Sequence, residues 1–178
     1  MTKWTYYHLS RGALFAAVAL FLLHCNHRGV LTFDRLTSGA MYLNGTSFIS
    51  NGVSMHVEKF KSEGGPIPGV VTVGSGYAPG AGNEIHVQNA NVSFDFNCPL
   101  QEVKLSFSDY GGSVNMKLNG DWRAAKSFWA FHGLLFRGVT VTVTGRDARG
   151  ILILRGKIKE LLVGGRDLWI NEIAYVRR

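Results

Sequence analysis

Tyr110, Trp122, Phe128, Trp129 and Phe131 flank turns in one part of this chain, and the connection AAKSFWAFHG (residues 124–133) is unusually apolar. Flat rings at the edge of a β-fold suit stacking on sugars, and an exposed apolar segment suits a protein partner. The same segment could instead close the open end of a sandwich as core. All three readings stand at the level of sequence, and they place the candidate ligand-binding residues at these five positions.

Catalytic chemistry has less to work with. A nucleophile needs a base beside Ser, Cys or Thr. No Gly-x-Ser-x-Gly elbow occurs, and His27, His56, His86 and His132 lie far apart in the chain. His56 and His86 could meet across neighbouring strands as a metal pair, although a lone strand histidine is more often a surface or core residue. Glycoside hydrolysis needs two carboxylates across a cleft. Glu84, Asp95, Asp109, Asp121 and Glu172 are present, but no spacing pairs them. Asp109 and Asp121 sit at strand ends, where aspartate accepts backbone hydrogen bonds in turns. The sequence is that of a protein without catalytic activity, and no cofactor is called for.

The elements that position these residues are strands. From Val30 onward apolar and polar residues alternate with period two, interrupted by turn residues every eight to twelve positions. The segments 30–34, 46–50, 53–60, 70–73, 84–88, 91–97, 102–108, 113–119, 139–144, 151–158, 159–163 and 168–176 read as strands. Asn51-Gly52 is a strong hairpin signal. The loop GSGYAPGAG (residues 74–82) lacks the lysine and the spacing of a phosphate-cradling loop and reads as a flexible surface turn. Residues 124–131 hold the one helical turn. About ten strands without a βαβ rhythm predict an all-β, antiparallel, jelly-roll-like sandwich over residues 30–178. Phe94, Phe96, Leu105, Phe107, Val141, Val143, Ile153 and Trp169 are the expected inward-facing residues.

Residues 1–29 are of another kind. An apolar run of eleven residues, 13–23, follows Lys3 and Arg11, which is the pattern of a signal peptide. Leu22-Leu23-His24-Cys25 has the leucines and cysteine of a lipoprotein box, with His24 where a small residue is usual, so Cys25 is the candidate lipid anchor. Kept instead as a helix, residues 4–25 would reach roughly 33 Å, with Trp4, Tyr6 and Tyr7 as an interfacial belt. Each version predicts an exported, membrane-associated protein on the periplasmic or extracellular face, preceded by a hydrophobic helix that is either cleaved or retained. Cys98, before Pro99, reads as a buried strand-end thiol, and two cysteines make no disulfide framework. The net charge of +7 favours anionic surroundings. The basic residues form no stripe, which argues against nucleic acid as a partner.

The segments LSFSDYGGSVNMKLNGD (105–121), VGGRDLWINEI (163–173) and LTFDRLTSGAMYLNGTSF (31–48) resemble parts of uncharacterised exported bacterial proteins built as one β-sandwich. The outline is also similar to that of galactose-binding-like carbohydrate modules. The resemblance implies that the first and last strands pair, which would bring Asp34, Asn171 and Glu172 together as hard oxygen donors for a structural calcium. It supplies no catalytic residues. The function expected is a non-catalytic, membrane-tethered module recognising envelope or extracellular glycan through Tyr110, Trp122 and Trp129. The alternative is an accessory structural subunit of a membrane complex, docked on an integral-membrane protein around residues 128–131.

Overall fold

The computed structural model describes residues 28–178. The apolar head, with the membrane contact expected through residues 4–25 and the lipid anchor expected at Cys25, lies outside the described residues. In chain order the strands of the first half are β1 (Arg28–Thr32), β2 (Met41–Leu43), β3 (Ser47–Ser50), β4 (Val53–Ser62), β5 (Gly65–Ile67), β6 (Val70–Gly74), β7 (Glu84–Gln88) and β8 (Ala90–Asp95). Those of the second are β9 (Leu100–Asp109), β10 (Val114–Leu118), β11 (Asp121–Ala125), β12 (Leu135–Phe136), β13 (Val139–Arg146), β14 (Arg149–Ile158), β15 (Leu161–Gly165) and β16 (Leu168–Arg177). A single 3-10 turn, Phe128–Phe131, lies between β11 and β12.

The strands form two antiparallel sheets. One has nine strands in the order β12-β13-β14-β9-β16-β7-β6-β2, with β1 also on β16. The other has seven, β11-β10-β15-β8-β4-β3, with β5 on the end of β4. The core between them draws on both, with Leu105, Phe107, Leu154 and Ile170 from the first and Val57, Val92, Met116 and Val163 from the second. The result is an all-β sandwich compatible with a jelly-roll outline. Strands β2, β5, β11 and β12 had not been expected, because each is too short or too mixed in composition to carry a period of two.

The hairpin at Asn51-Gly52 forms as its sequence dictates: both residues have positive φ, 46° and 76°, as a two-residue type I′ turn requires. The first and last strands do pair, Val30 opposite Ala174 and Thr32 opposite Glu172. Strand β16 is bordered by β7 along Leu168–Ile170 and by β1 beyond it, and its register on β9 shifts between Ile170 and Ile173. At that bulge Asn171 and Glu172 together stand opposite Ser106 alone, one extra residue, and Asn171 turns toward the loop before β7.

One inward-facing expectation is corrected and one is refined. Phe94, Phe96, Leu105, Phe107, Val141 and Val143 are core, but Ile153 is half-exposed and its neighbours Leu152 and Leu154 face inward. In the run ILIL (residues 151–154) every position is apolar, so alternation cannot give the phase. Pairing gives it, with Leu152 opposite Leu105 and Leu154 opposite Val103. Trp169 is buried as expected but not in the main core, which takes its neighbours Leu168 and Ile170; it is stacked between Tyr77 (4.1 Å) and His86 (3.9 Å). Cys98 is half-buried rather than buried.

Candidate functional site

The glycine loop of residues 75–83 is the first departure from the sequence reading. It is tied down along its length rather than free. The Glu84 carboxylate accepts the backbone N–H groups of Gly76, Tyr77 and Ala78 at 3.1–3.2 Å. Ser108 Oγ donates to Tyr77 O at 2.7 Å, Asn171 Nδ2 to Ala81 O at 3.1 Å, and Asp34 Oδ1 accepts the Asn83 N–H at 2.9 Å. Two of the three residues read as calcium ligands meet this loop: Asp34 and Asn171 hold its backbone, whereas Glu172 is half-buried on the bulge opposite Thr32. Among the described residues no three His, Cys, Asp or Glu side chains gather as a metal-holding group.

His56 and His86 belong to different sheets and do not meet. His56 Nδ1 bonds Ser47 Oγ at 2.9 Å, and His86 Nε2 bonds Asp167 Oδ1 at 2.7 Å.

The aromatic group divides into four. Phe128 and Phe131 point inward and join the core, Phe128 against Phe107 (centroids 4.9 Å) and Phe131 against Phe136 (5.8 Å). They close the sandwich, which corrects their placement on a ligand surface. Trp129 packs on the core's margin and donates its Nε1–H to Asp147 O at 2.9 Å. Tyr110 is 45% exposed, its hydroxyl accepting from Arg149 Nε at 3.1 Å. Trp122 stands in a different setting.

Trp122 lies on β11, the edge of the seven-stranded sheet, opposite Lys117 in register. Facing it is the far end of β4, which runs past β8 and turns into β5. That end is held by two buried asparagines. Asn91 Nδ2 donates to Lys59 O at 2.6 Å, and Asn115 Nδ2 to Lys61 O at 3.1 Å. Between hairpin and edge strand runs a groove of about 770 Å³. Lys61, Lys126 and Arg166 line it with one carboxylate, Glu63, together with Trp122, Ser62 and Ser113. Lys61 Nζ stands 5.2 Å from the centre of the Trp122 ring, a cation–π contact.

Two buried polar atoms beside this groove have no partner among the described residues, the donor Trp122 Nε1 and the acceptor Asn115 Oδ1. An unsatisfied buried group costs about 1–3 kcal/mol, so such atoms in a native fold call for an explanation. Lys126 follows Trp122 by four residues, but Lys61 and Arg166 are far from it in the chain, and no sequence signal connects those two to it. The groove offers charge and hydrogen bonding around one aromatic ring, and so suits a polar ligand.

A second buried group lies at the end of β9. Asp109 is 8% exposed, and neither carboxylate oxygen accepts a hydrogen bond in good geometry from the described residues. Burial raises its pKa to about 6, the Gly111 N–H partly opposes this, and the charge of Asp167 adds to it.

No family model, curated protein or solved structure matches the chain.

Proposed function

We propose that this chain is an exported, membrane-tethered β-sandwich that binds carbohydrate in the Trp122 groove and catalyses no reaction. The observation that carries the reading is the groove itself: a half-buried indole set among charged and hydroxyl side chains. Sugars present an apolar C–H face to an aromatic ring and a rim of hydroxyls to polar groups, and this lining matches both. Glu63 is the sole carboxylate along it, so a facing acid–base pair is missing from the lining.

A glycan array read beside melting curves tests the proposal. Trp122→Ala is expected to weaken glycan retention about tenfold, roughly 1.4 kcal/mol, with little change in Tm, because the ring sits on an edge strand. Trp129→Ala should lower Tm and leave retention intact, because that ring packs on the core and its N–H holds Asp147 O. Loss of retention in Trp129→Ala alone would overturn the assignment to the groove.

The tether has its own test. Mass spectrometry of the native N-terminus is expected to find either intact Met1 or a diacylglyceryl group on Cys25. A soluble mature chain beginning well beyond Cys25 would rule out both forms of attachment.

The reading as an accessory subunit of a membrane complex is favoured by one observation. Beside the 3-10 turn, Leu134 and Leu135 are exposed, Leu135 at 63%, and β12 is an edge strand of its sheet. Exposed apolar residues on an unpaired edge suit a protein contact. Leu135→Glu should then release the intact protein from a partner in solubilised membranes, whereas Trp122→Ala should not.

A further inference from the structure

Resting on the glycan reading, we propose that the ligand is an acidic polysaccharide, whose anionic groups are held by Lys61, Lys126 and Arg166 while a sugar ring takes the Trp122 face. The three cations enter from three separate elements. Lys61 stands on the β4–β5 hairpin, Lys126 follows β11, and Arg166 lies in the turn between β15 and β16. Among the described residues, none of the three is within salt-bridge distance of a carboxylate. Against them the groove sets only Glu63. A neutral sugar would leave that excess positive charge uncompensated in a partly enclosed space, whereas a carboxylate or sulfate neutralises it through charge-assisted hydrogen bonds.

Arg166 is mounted for this. Its N–H donates to Ser113 O and its carbonyl accepts from Asn89 N–H, so the backbone is fixed on both sides. The turn at Gly111 packs directly beneath it, and a Cβ at Gly111 would approach Arg166 Cβ to 2.7 Å. Glycine there permits the contact that sets the guanidinium at the groove wall. Lys61 is the movable member. Its ammonium covers the ring face on which a sugar would stack, and a bound anion would draw it aside, replacing a cation–π contact by an ion pair.

Other polyanions fit less well. Single-stranded nucleic acid is gripped by successive aromatic rings along a basic track, and this groove has the one ring. A lipid surface is entered by exposed apolar side chains, and none of the large exposed ones lines the groove.

The test is retention of the full-length protein in affinity gels containing polygalacturonate, dextran sulfate, neutral galactan or single-stranded DNA, and on anionic phospholipid vesicles. Binding to polygalacturonate or dextran sulfate is expected, weakening as salt rises, and whichever is retained more strongly identifies the charge carrier. Arg166→Gln and Lys126→Gln should each weaken it about tenfold without lowering Tm. Lys157→Gln removes the same charge from an exposed site outside the groove and should change it less than twofold. An equal loss in Lys157→Gln, equal retention by DNA, or vesicle retention that falls as much in Arg166→Gln as polysaccharide retention does, would reduce the effect to net charge and overturn the proposal. Vesicle retention unchanged by Arg166→Gln belongs to the tether. Retention by galactan alone would overturn the acidic class and leave the glycan reading standing. Retention by none of the polysaccharides would overturn both.

Discussion

Phe107→Ala is expected to lower the unfolding free energy by about 3–5 kcal/mol, the range for deleting a fully buried aromatic ring. Phe107 is 1% exposed and lies on β9, a central strand of the nine-stranded sheet, flanked by β14 and β16. Its ring meets the edge of Phe128, and opposite it in register is Gly150, whose missing side chain leaves room for the ring. Removing the ring therefore opens a cavity at the junction of the sheet with the 3-10 turn, where both backbones are held by their own hydrogen bonds and cannot close in. Ile153→Ala supplies the contrast. Ile153 is half-exposed on the same sheet, and its truncation should cost less than about 1.5 kcal/mol. Urea melts of the two variants decide the register of this sheet. A cost below about 1 kcal/mol for Phe107, or a larger one for Ile153, would place the core on the wrong face of β9 and β14.

Asp109→Asn should stabilise the protein at neutral pH by up to about 3 kcal/mol and do almost nothing at pH 4. The sign follows from the folded-state pKa of about 6, raised by burial against the Gly111 N–H and with help from the Asp167 charge. An unfolded aspartate titrates near about 3.9. The folded protein thus holds this proton more tightly than the unfolded chain does. The stability linked to it is complete below about pH 4 and is lost as pH rises through about 6. A difference of about two units at 1.36 kcal/mol each sets the upper bound. Asparagine keeps the shape and removes the charge, so the variant behaves as the protonated form at every pH. Its unfolding free energy should be flatter than that of the wild type between pH 4 and 7.5, with the curves converging at the acid end. A variant less stable than wild type at pH 7.5 would mean that the Asp109 carboxylate has a partner worth more than its burial costs.

Why Asp109 and the groove were not legible in the sequence has a physical answer in each case. At Asp109 the strand end was recognised, and a turn aspartate accepting backbone hydrogen bonds was the ordinary expectation. Asp95 does this, taking the Asn97 N–H at 2.8 Å. Whether a strand-end carboxylate faces solvent or the sandwich interior depends on how neighbouring turns cover it, and those turns come from residues 145–149 and 165–168. The aromatic group failed in a similar way. Composition identified residues 124–133 as unusual but could not distinguish a plug from a binding face. The structure divides the aromatic group, with Phe128 and Phe131 inside, Trp129 at the margin and Trp122, just before the segment, lining the basic groove.

What the sequence determined by itself was whatever depends on neighbours along the chain. Clean alternation in VSFDF (residues 92–96), VKLSF (103–107) and VTVTV (139–143) made strands with one buried face, and Asn51-Gly52 made its hairpin, because pleat and turn conformation are local properties. From these an antiparallel two-sheet sandwich follows. Tertiary structure alone decided the phase of the apolar runs 151–154 and 168–170, where alternation is silent and cross-strand partners choose the inward side. It also decided that the glycine loop is fastened by Glu84, Ser108 and Asn171. And it alone gathered Lys61, Lys126 and Arg166 around Trp122. Their meeting requires β10 to pair with β15 on one side and β11 on the other, and the end of β4 to be drawn over β10 by Asn115. The β10–β11 pairing is a local hairpin at Asn119-Gly120, but the other two are contacts between segments tens of residues apart, whose geometry no local pattern encodes.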